Sequence, residues 1–247
     1  PDTDRSRGLG DVYKRQLHYF ARVINKMMIK AIIFDLDGTL LNTAPDIQRV
    51  LNASLAKFSM PPVSMQKLHS ILGDGAYNLV WRALPEDKKD LADAVLADYA
   101  PAYAACDNSL TQLYPGEDEA LTRLKAAGVK LAVLSNKPQD ATSAVYNAKL
   151  SKYGFDVVLG QGRFALKPSP EGTEYIISSL GLKKEECLFT GDGETDVRTA
   201  QNAGLPCISV LWGFRKREQL AAAGATLFAE NYTDYLHILQ EKFLLNA

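Results

Sequence analysis

Short apolar runs alternate with amphipathic stretches along most of the chain. One apolar run lies at residues 29–34, and similar runs of strand length lie at residues 130–134, 155–159, 187–189, 207–210 and 226–229. Between them, apolar residues spaced three and four apart predict helices at residues 117–127, 139–150, 170–180 and 195–203, with a last helix at the C terminus. Strands that alternate with helices through short loops form a parallel sheet covered by helices on both faces. We therefore expect an α/β fold with a three-layer core.

The stretch from residue 43 to residue 109 has a different pattern. Apolar residues from Ile47 to Phe58 repeat at helical spacing, with Pro45 in the first turn. Further helices are predicted at residues 64–72, 76–84 and 87–105. Because strand-like runs do not occur here, we expect an all-helical domain at residues 43–109. It would be inserted into a core domain formed by residues 27–42 and 110–247.

The first 26 residues show no pattern of a folded element. They begin with a polar stretch and have no apolar run followed by a small-residue cleavage site, so they do not resemble a signal peptide. Met27 and Met28 directly precede the first strand-like run. We interpret residues 1–26 as a non-native or disordered leader and expect the native start at or near Met27 or Met28.

Composition and charge narrow the class of protein. The 28 Lys and Arg residues nearly balance the 29 Asp and Glu residues, for a net charge of -1. A nucleic-acid-binding protein is expected to carry a basic excess, so nucleic acid is not an expected partner. The short basic run Arg215, Lys216 and Arg217 is interpreted as the solvated start of a helix. No apolar run approaches the roughly 20 residues needed to cross a bilayer, so a membrane is not expected as a partner either.

Cysteine and histidine usage excludes two further classes of site. The three cysteines are odd in number and show no CxxC spacing, which favours a reduced, cytoplasmic protein. The three histidines are scattered along the chain. Neither a zinc site nor a histidine-based catalytic triad is therefore expected. The sequence leaves open whether the protein is a monomer or a homodimer.

Polar residues capable of chemistry follow the predicted strands. They form four groups, at residues 35–39 (DLDGT), 135–137 (SNK), 167–168 (KP) and 191–196 (GDGETD). The carboxyl ends of parallel strands share one edge of a sheet, and ligands bind at that edge. We therefore expect the four groups to form one site.

Asp35 and Asp37 are the candidate catalytic carboxylates. Two residues apart at a strand end, they can face one pocket, with one as nucleophile and the other as general acid and base. In isolation this pair could equally be a surface loop or an incidental metal site. Gly38 and Thr39 would allow the backbone to approach an anion such as phosphate.

Two further carboxylates suggest a metal ion. Asp192 and Asp196 would place oxygen donors beside Asp35, and such a set suits a hard cation such as Mg2+. Asp196 could instead be favoured simply by its position at a helix N terminus. Ser135 can donate a hydrogen bond to a phosphoryl oxygen or cap a helix. Lys167 can neutralise the charge of a phosphate and of the nucleophile together.

In this order, the four groups resemble the four motifs of the haloacid dehalogenase-like (HAD) hydrolase superfamily, over residues 28–230. The resemblance implies a Rossmann-like core, a helical cap domain inserted after the first motif, and a fourth-motif strand beside the first. It implies that Asp35 is the nucleophile and that Asp37 protonates the leaving group and then activates water. The implied phosphate-binding residues are Thr39, Ser135, Asn136 and Lys167. The implied Mg2+ ligands are Asp35, Asp37, Asp192 and Asp196, with the last in a supporting role.

The acid at Asp37 indicates the reaction class, because an alcohol leaving group needs a proton and a halide does not. Within the superfamily the chain most resembles phosphoglycolate phosphatases. Gly73, Asp74, Gly75 and Arg82 look like their substrate-specificity loop and the helix that follows it. The expected function is Mg2+-dependent hydrolysis of a small phosphate monoester, similar to phosphoglycolate, through an aspartyl-phosphate.

Other functions on the same fold remain open. A phosphomutase related to β-phosphoglucomutase would share the core motifs but return the phosphoryl group to the sugar. A pyrophosphatase or a nucleotidase is also compatible with the motifs, and a catalytically inactive binding module would retain the fold alone. Release of free phosphate separates the phosphatase from the mutase and from the inactive module.

Overall fold

The structure, a computed structural model, describes residues 28–243 and residue 245. The interpretation of residues 1–26 as a leader and of Met27 as a start site lies outside the described residues. The strands are β1 (Ala31–Phe34), β2 (Leu41–Asn42), β3 (Gln112–Leu113), β4 (Lys130–Pro138), β5 (Val157–Gln161), β6 (Cys187–Gly191), β7 (Cys207–Val210) and β8 (Leu227–Ala229). The α-helices are α1 (Ala44–Lys57), α2 (Met65–Ile71), α3 (Ala76–Ala83), α4 (Ala92–Ala104), α5 (Glu117–Ala126), α6 (Gln139–Lys149), α7 (Glu171–Leu180), α8 (Glu194–Ala203), α9 (Arg217–Ala222) and α10 (Tyr232–Phe243). Over these residues, none of the helices is both long and apolar enough to cross a membrane.

Six strands form one parallel sheet in the order β5-β4-β1-β6-β7-β8. The central strand β1 pairs with β4 on one side, Ala31 opposite Lys130, and with β6 on the other, Ala31 opposite Cys187. The carboxyl ends of β1, β4 and β6 therefore lie side by side at one edge of the sheet. This arrangement confirms that the first and fourth sequence motifs follow neighbouring strands.

Helices cover both faces of the sheet. Along β1, Ile32 and Phe34 point to one face and pack with α5 and α10, whereas Ala31 and Ile33 point to the other and pack with α7 and α8. All four side chains are fully buried. A strand covered on both faces needs apolar residues at every position, which explains the uninterrupted run AIIF. The prediction of an α/β core is confirmed.

The helices α1 to α4 form a separate layer above this edge of the sheet. They pack around their own apolar cluster, in which Leu51, Leu68, Val80 and Val95 are buried. The chain enters this helical insert after β2 and leaves it before β3, and these two short strands pair antiparallel. The two connections between the insert and the core therefore run side by side.

Some elements differ from the predictions. Strand β4 continues to Pro138 instead of ending at residue 134, and its pairing with β5 shifts register between Leu134 and Pro138. The polar residues 135–137 carry no strand pattern, so this extension depends on tertiary pairing. The helix predicted at residues 87–105 is divided into a 3-10 helix at Glu86–Leu91 and helix α4. Strands β2 and β3 have only two residues each, too few for a period-two pattern.

Candidate active site

The site lies where β1 and β6 end. Asp35 directly follows β1, and its backbone N–H donates to the carbonyl of Thr190 in β6 at 2.9 Å. Asp192 directly follows β6. Because the two strands are neighbours, their first polar residues meet at the same edge of the sheet, as the sequence predicted.

Asp35 is buried, and within the part of the chain that the structure describes its side chain is held through Oδ1. This oxygen accepts from the backbone N–H of Leu36 at 2.7 Å and lies 2.7 Å from Nζ of Lys167. Burial, followed by the charge of Asp196, raises the pKa of Asp35 well above its ordinary value, against the opposing effect of Lys167. The carboxylate is therefore poorly hydrated and held in one orientation.

Lys167 joins two carboxylates of the site. Its Nζ lies 2.7 Å from Oδ1 of Asp35 and 2.7 Å from Oδ1 of Asp196. Burial works against the charge of Lys167, but Asp196 and Asp35 outweigh burial and raise its pKa. The side chain is thus a fixed cation beside the Asp35 carboxylate.

The protein holds the other two acidic residues by hydrogen bonds. Asp192 Oδ1 accepts from Thr39 Oγ1 at 2.9 Å, and its Oδ2 accepts from the backbone N–H of Phe214 at 2.8 Å. Asp196 Oδ2 accepts from the backbone N–H of Gly193 at 2.9 Å. Burial, followed by the charge of Asp196, raises the pKa of Asp192 to about 7.

Two glycines make room for Asp192. A Cβ at Gly38, whose φ is +89°, would lie 2.4 Å from Asp192 Oδ2, and a Cβ at Gly213 would lie 2.3 Å from Asp192 Cβ. Any side chain at either position would displace the carboxylate. The loop after β1 and the loop after β7 therefore enclose Asp192 tightly.

The acidic residues could hold a metal ion. Asp35, Asp192 and Asp196 are all buried, and each offers a carboxylate oxygen within 4.8 Å of the others. Lys167 offsets only part of their combined charge. Buried carboxylate oxygens in excess over cations are the environment that a hard divalent cation requires, so this cluster fits a divalent metal.

Asp37 has a different environment from Asp35. Its Oδ1 accepts from Thr43 Oγ1 and lies 2.8 Å from Nζ of Lys137. Nζ of Lys137 also donates to Oη of Tyr103, on helix α4, at 2.8 Å. Through Lys137, this carboxylate of the core is therefore connected to the helical insert.

The phosphate-binding candidates occupy several different positions. Ser135 and Lys167 line the cavity between the core and the insert, as do Asp35 and Asp37. Asn136 also lines it, but its amide already donates to the carbonyls of Gly73 and Lys167 and accepts from the N–H of Lys167. In contrast, Thr39 is fully buried and contacts Asp192, so the structure places it behind the acidic cluster.

The four candidates on the insert separate into two pairs. Gly73 and Gly75 line the cavity, and both have positive φ, of +114° and +87°. The side chains of Asp74 and Arg82 form an ion pair at 2.5 Å, and Asp74 also accepts from Thr195 Oγ1 at 3.1 Å. The glycines therefore shape the cavity wall, while Asp74 and Arg82 stabilise the loop behind it.

The structure adds residues that the sequence did not single out. Lys137 was part of a recognised polar group but had no role, and Thr43 and Tyr103 carried no signal at all. Arg215 was interpreted as part of a solvated helix start, and this interpretation is wrong for Arg215. Its side chain is only 13% exposed and pairs with Glu194, whereas the helix begins at Arg217.

Known proteins identify the class to which this fold and site belong. The family model described as haloacid dehalogenase-like hydrolase matches residues 32–210. The chain therefore belongs to the haloacid dehalogenase-like hydrolase family, and relatives named phosphoglycolate phosphatase show that it is a phosphohydrolase enzyme.

Several similar proteins share the name phosphoglycolate phosphatase. The chain is 32% identical over 214 residues to "Phosphoglycolate phosphatase 1" of Pseudomonas aeruginosa, which covers 84% of this chain and 78% of that protein. It is 34% identical over 214 residues to "Phosphoglycolate phosphatase" of Rhodospirillum rubrum, with coverage of 83% and 88%. A crystal structure of a proposed phosphoglycolate phosphatase from Lactobacillus delbrueckii subsp. bulgaricus superimposes with a TM-score of 0.81 at 29% identity, covering 90% of this chain and 100% of that one.

Proposed function

We propose that the protein is a Mg2+-dependent phosphatase that hydrolyses a small phosphate monoester of the phosphoglycolate type through an aspartyl-phosphate on Asp35. The observation that carries this proposal is the contact of Asp35 with Lys167 inside the buried cluster of Asp35, Asp192 and Asp196. The names of the relatives support the substrate class.

Mg2+ is the proposed metal because all donors in the cluster are oxygens. Asp35, Asp192 and Asp196 would hold the ion, together with the backbone carbonyl of Asp37, as the family resemblance implies. When bound, the ion would offset negative charge on the phosphoryl oxygens and on the carboxylates.

The first step transfers the phosphoryl group to the protein. A carboxylate oxygen of Asp35 attacks phosphorus, and the bond from phosphorus to the ester oxygen breaks. Asp37 gives its proton to that oxygen, so that the product leaves as an alcohol. Lys167 stays within reach of the attacking carboxylate and offsets the charge of the transferred group, and Ser135 donates a hydrogen bond to that group.

The second step restores the enzyme. Asp37, now a carboxylate, takes a proton from water while the water oxygen attacks phosphorus. The bond from phosphorus to Asp35 breaks and inorganic phosphate leaves. Asp37 ends protonated, ready for the next ester. Thr43 and Lys137 contact the Asp37 carboxylate and would keep it in position for the reaction with water.

The helical insert is proposed to be a cap domain at residues 43–109 on a core domain of residues 27–42 and 110–247. It would exclude bulk water from the aspartyl-phosphate and select the alcohol part of the substrate. Gly73 and Gly75, in the cavity wall, are the proposed specificity residues that meet the substrate, and Asp74 and Arg82 support them. Thr39 and Asn136 are retained as proposed phosphate-site residues, acting through Asp192 and Lys167. The three free cysteines fit the proposed cytoplasmic location.

Phosphate release tests the proposal. The purified protein is assayed with Mg2+, with and without EDTA, on 2-phosphoglycolate, sugar phosphates, nucleotides and pyrophosphate, with Asp35→Asn as the background control. We expect EDTA-sensitive release with a preference for 2-phosphoglycolate. A preference for a different ester would contradict the substrate class alone. Formation of an isomerised sugar phosphate without net release of phosphate would show that the protein is a mutase and not a phosphatase.

A further inference from the structure

Arg215 connects the loop after β7 with the helical insert. Its Nε lies 2.8 Å from Oε2 of Glu194, at the start of helix α8. Its Nη1 donates to the carbonyl of His69, and its Nη2 donates to the carbonyl of Leu72 at 2.7 Å. One guanidinium group therefore joins an acidic residue of the core to two backbone carbonyls of the insert.

The two carbonyls lie at the C-terminal end of helix α2, which spans Met65–Ile71. The last carbonyls of a helix have no partner within the helix, and the helix dipole places negative charge there. A cation is favoured at this position, and the planar fork of arginine can serve both carbonyls at once. Arg215 thus supplies, from the core, the C-terminal cap of a helix in the insert.

The neighbouring contacts tie the same part of the insert to the site. Phe214, whose N–H donates to Asp192, also stacks on the His69 ring with the centroids 5.0 Å apart. Asn136 donates to the carbonyl of Gly73, and Thr195 donates to Asp74. Residues 69–74 are therefore held against three polar segments of the core that surround the acidic cluster.

We propose that Arg215 is a positioning residue that holds the helical insert closed over the site, an inference that rests on the proposed function. Arg215 donates two hydrogen bonds to the insert from one charged group. Both would be lost if the insert moved away from the core. A substrate that needs the closed arrangement binds with an apparent affinity scaled by the closed fraction. Loss of Arg215 therefore weakens binding while the chemistry of the closed complex is retained.

The test compares two substrates of the same length, 2-phosphoglycolate and ethyl phosphate, which differ by the carboxylate. For Arg215→Gln we expect KM to rise about tenfold for both substrates, the effect of losing hydrogen bonds to a charged donor. We expect kcat to stay within about threefold of wild type, since saturating substrate restores closure. The KM of Arg215→Lys is expected to lie between those of wild type and Arg215→Gln, because an ammonium group retains the charge without the planar fork.

Arg217→Gln is the matched control. Arg217 is two residues away, and its exposed side chain forms an ion pair with Glu230 of the core. Its KM should equal that of wild type. A KM increase confined to 2-phosphoglycolate would overturn the proposal in favour of direct recognition of the carboxylate by Arg215. A fall in kcat at unchanged KM would also overturn it, as would equal effects of the two arginine variants.

A readout without catalysis separates this inference from the proposed function. Hydrogen–deuterium exchange of the backbone amides at residues 66–79 should be faster in Arg215→Gln than in wild type or Arg217→Gln. If no ester is hydrolysed but this difference is found, the proposed function fails and the contact role of Arg215 stands. Unchanged exchange would overturn the role of Arg215 even in an active phosphatase.

Discussion

Asp35 and Asp37 are two residues apart, yet their neighbours are different. Asp35 is buried and shares Lys167 with Asp196. Asp37 is partly exposed and contacts Thr43 and Lys137. The two roles need such unequal environments: the contact with Lys167 favours the ionised, attacking form of Asp35 against the effect of burial, while the more exposed Asp37 can exchange protons with water.

Replacing Asp35 by asparagine tests the nucleophile. The amide keeps the size of the side chain but lacks a carboxylate oxygen that can attack phosphorus. We expect kcat below about 1% of wild type, a loss above roughly 2.7 kcal/mol, measured as phosphate release. Thermal unfolding should show an intact fold, since the substitution removes one of several buried like charges. Residual activity above this level would contradict the assignment.

Replacing Asp37 by asparagine tests the acid. Alkyl phosphates need a proton on the leaving oxygen, whereas the nitrophenolate leaving group is stable without one. We expect a loss of about 100-fold or more in the rate of alcohol release from 2-phosphoglycolate and a much smaller loss in the first burst of nitrophenolate from p-nitrophenyl phosphate. Rapid-quench measurement of both bursts checks the prediction, and equal losses would argue against an acid role.

At the scale of elements, helix α5 begins with an acid that the sequence pattern did not mark. Glu117 is fully buried, and its Oε2 accepts from the backbone N–H of Tyr114 at 3.0 Å. Burial raises the pKa of Glu117 to about 9. The helix N terminus favours a charged carboxylate, but burial dominates. The folded protein therefore holds a proton on Glu117 at neutral pH that the unfolded chain has released.

This proton makes stability depend on pH. Because the pKa of Glu117 is raised in the folded state, its contribution to the free energy of unfolding is fully present below the unfolded pKa of 4.5. This contribution is lost as the pH rises towards about 9. At pH 7 the loss lowers the free energy of unfolding by roughly 3 kcal/mol. Glu117→Gln keeps the acceptor without the charge, so we expect it to stabilise the protein at pH 7–8 and to have little effect at pH 5.

Urea unfolding of wild type and Glu117→Gln at both pH values measures the difference. Glu119→Gln, an exposed position on the same helix, is the control and should change stability little at either pH. An equal effect of Glu117→Gln at pH 5 and pH 8 would show that the buried proton is not the cause.

At the scale of the whole molecule, the proposed metal site depends on two segments that are far apart in the chain. Burial, with the charge of Asp196, raises the pKa of Asp192 to about 7. Below that pH a proton competes with a cation for the cluster. We expect Mg2+ to raise the unfolding temperature more at pH 8 than at pH 5.5, and EDTA to reverse the increase.

Thermal unfolding with and without Mg2+ at the two pH values checks this prediction. Asp192→Asn should reduce the Mg2+ effect at both, because it removes one carboxylate donor. Arg217→Gln is the control for a general salt effect, because it removes only the exposed ion pair with Glu230. This variant should keep the full increase in unfolding temperature with Mg2+. The same increase at both pH values would contradict competition by a proton.

Local pattern by itself determined the order along the chain of the six strands of the parallel sheet and of the helices between them, the helical stretch after the first motif, and the position of Asp35 and Asp192 after buried strands. These features depend on neighbours within a few residues, so the sequence displays them directly. The shared lysine between Asp35 and Asp196, the link from Tyr103 through Lys137 to Asp37, and the hold of Arg215 on Leu72 were decided only by the tertiary structure. Each joins side chains or carbonyls that are distant in the chain, such as Arg215 and Leu72, which are 143 residues apart. Such contacts join single polar positions across elements, and a single position leaves no periodic pattern in the sequence, unlike the apolar faces that pack on the core.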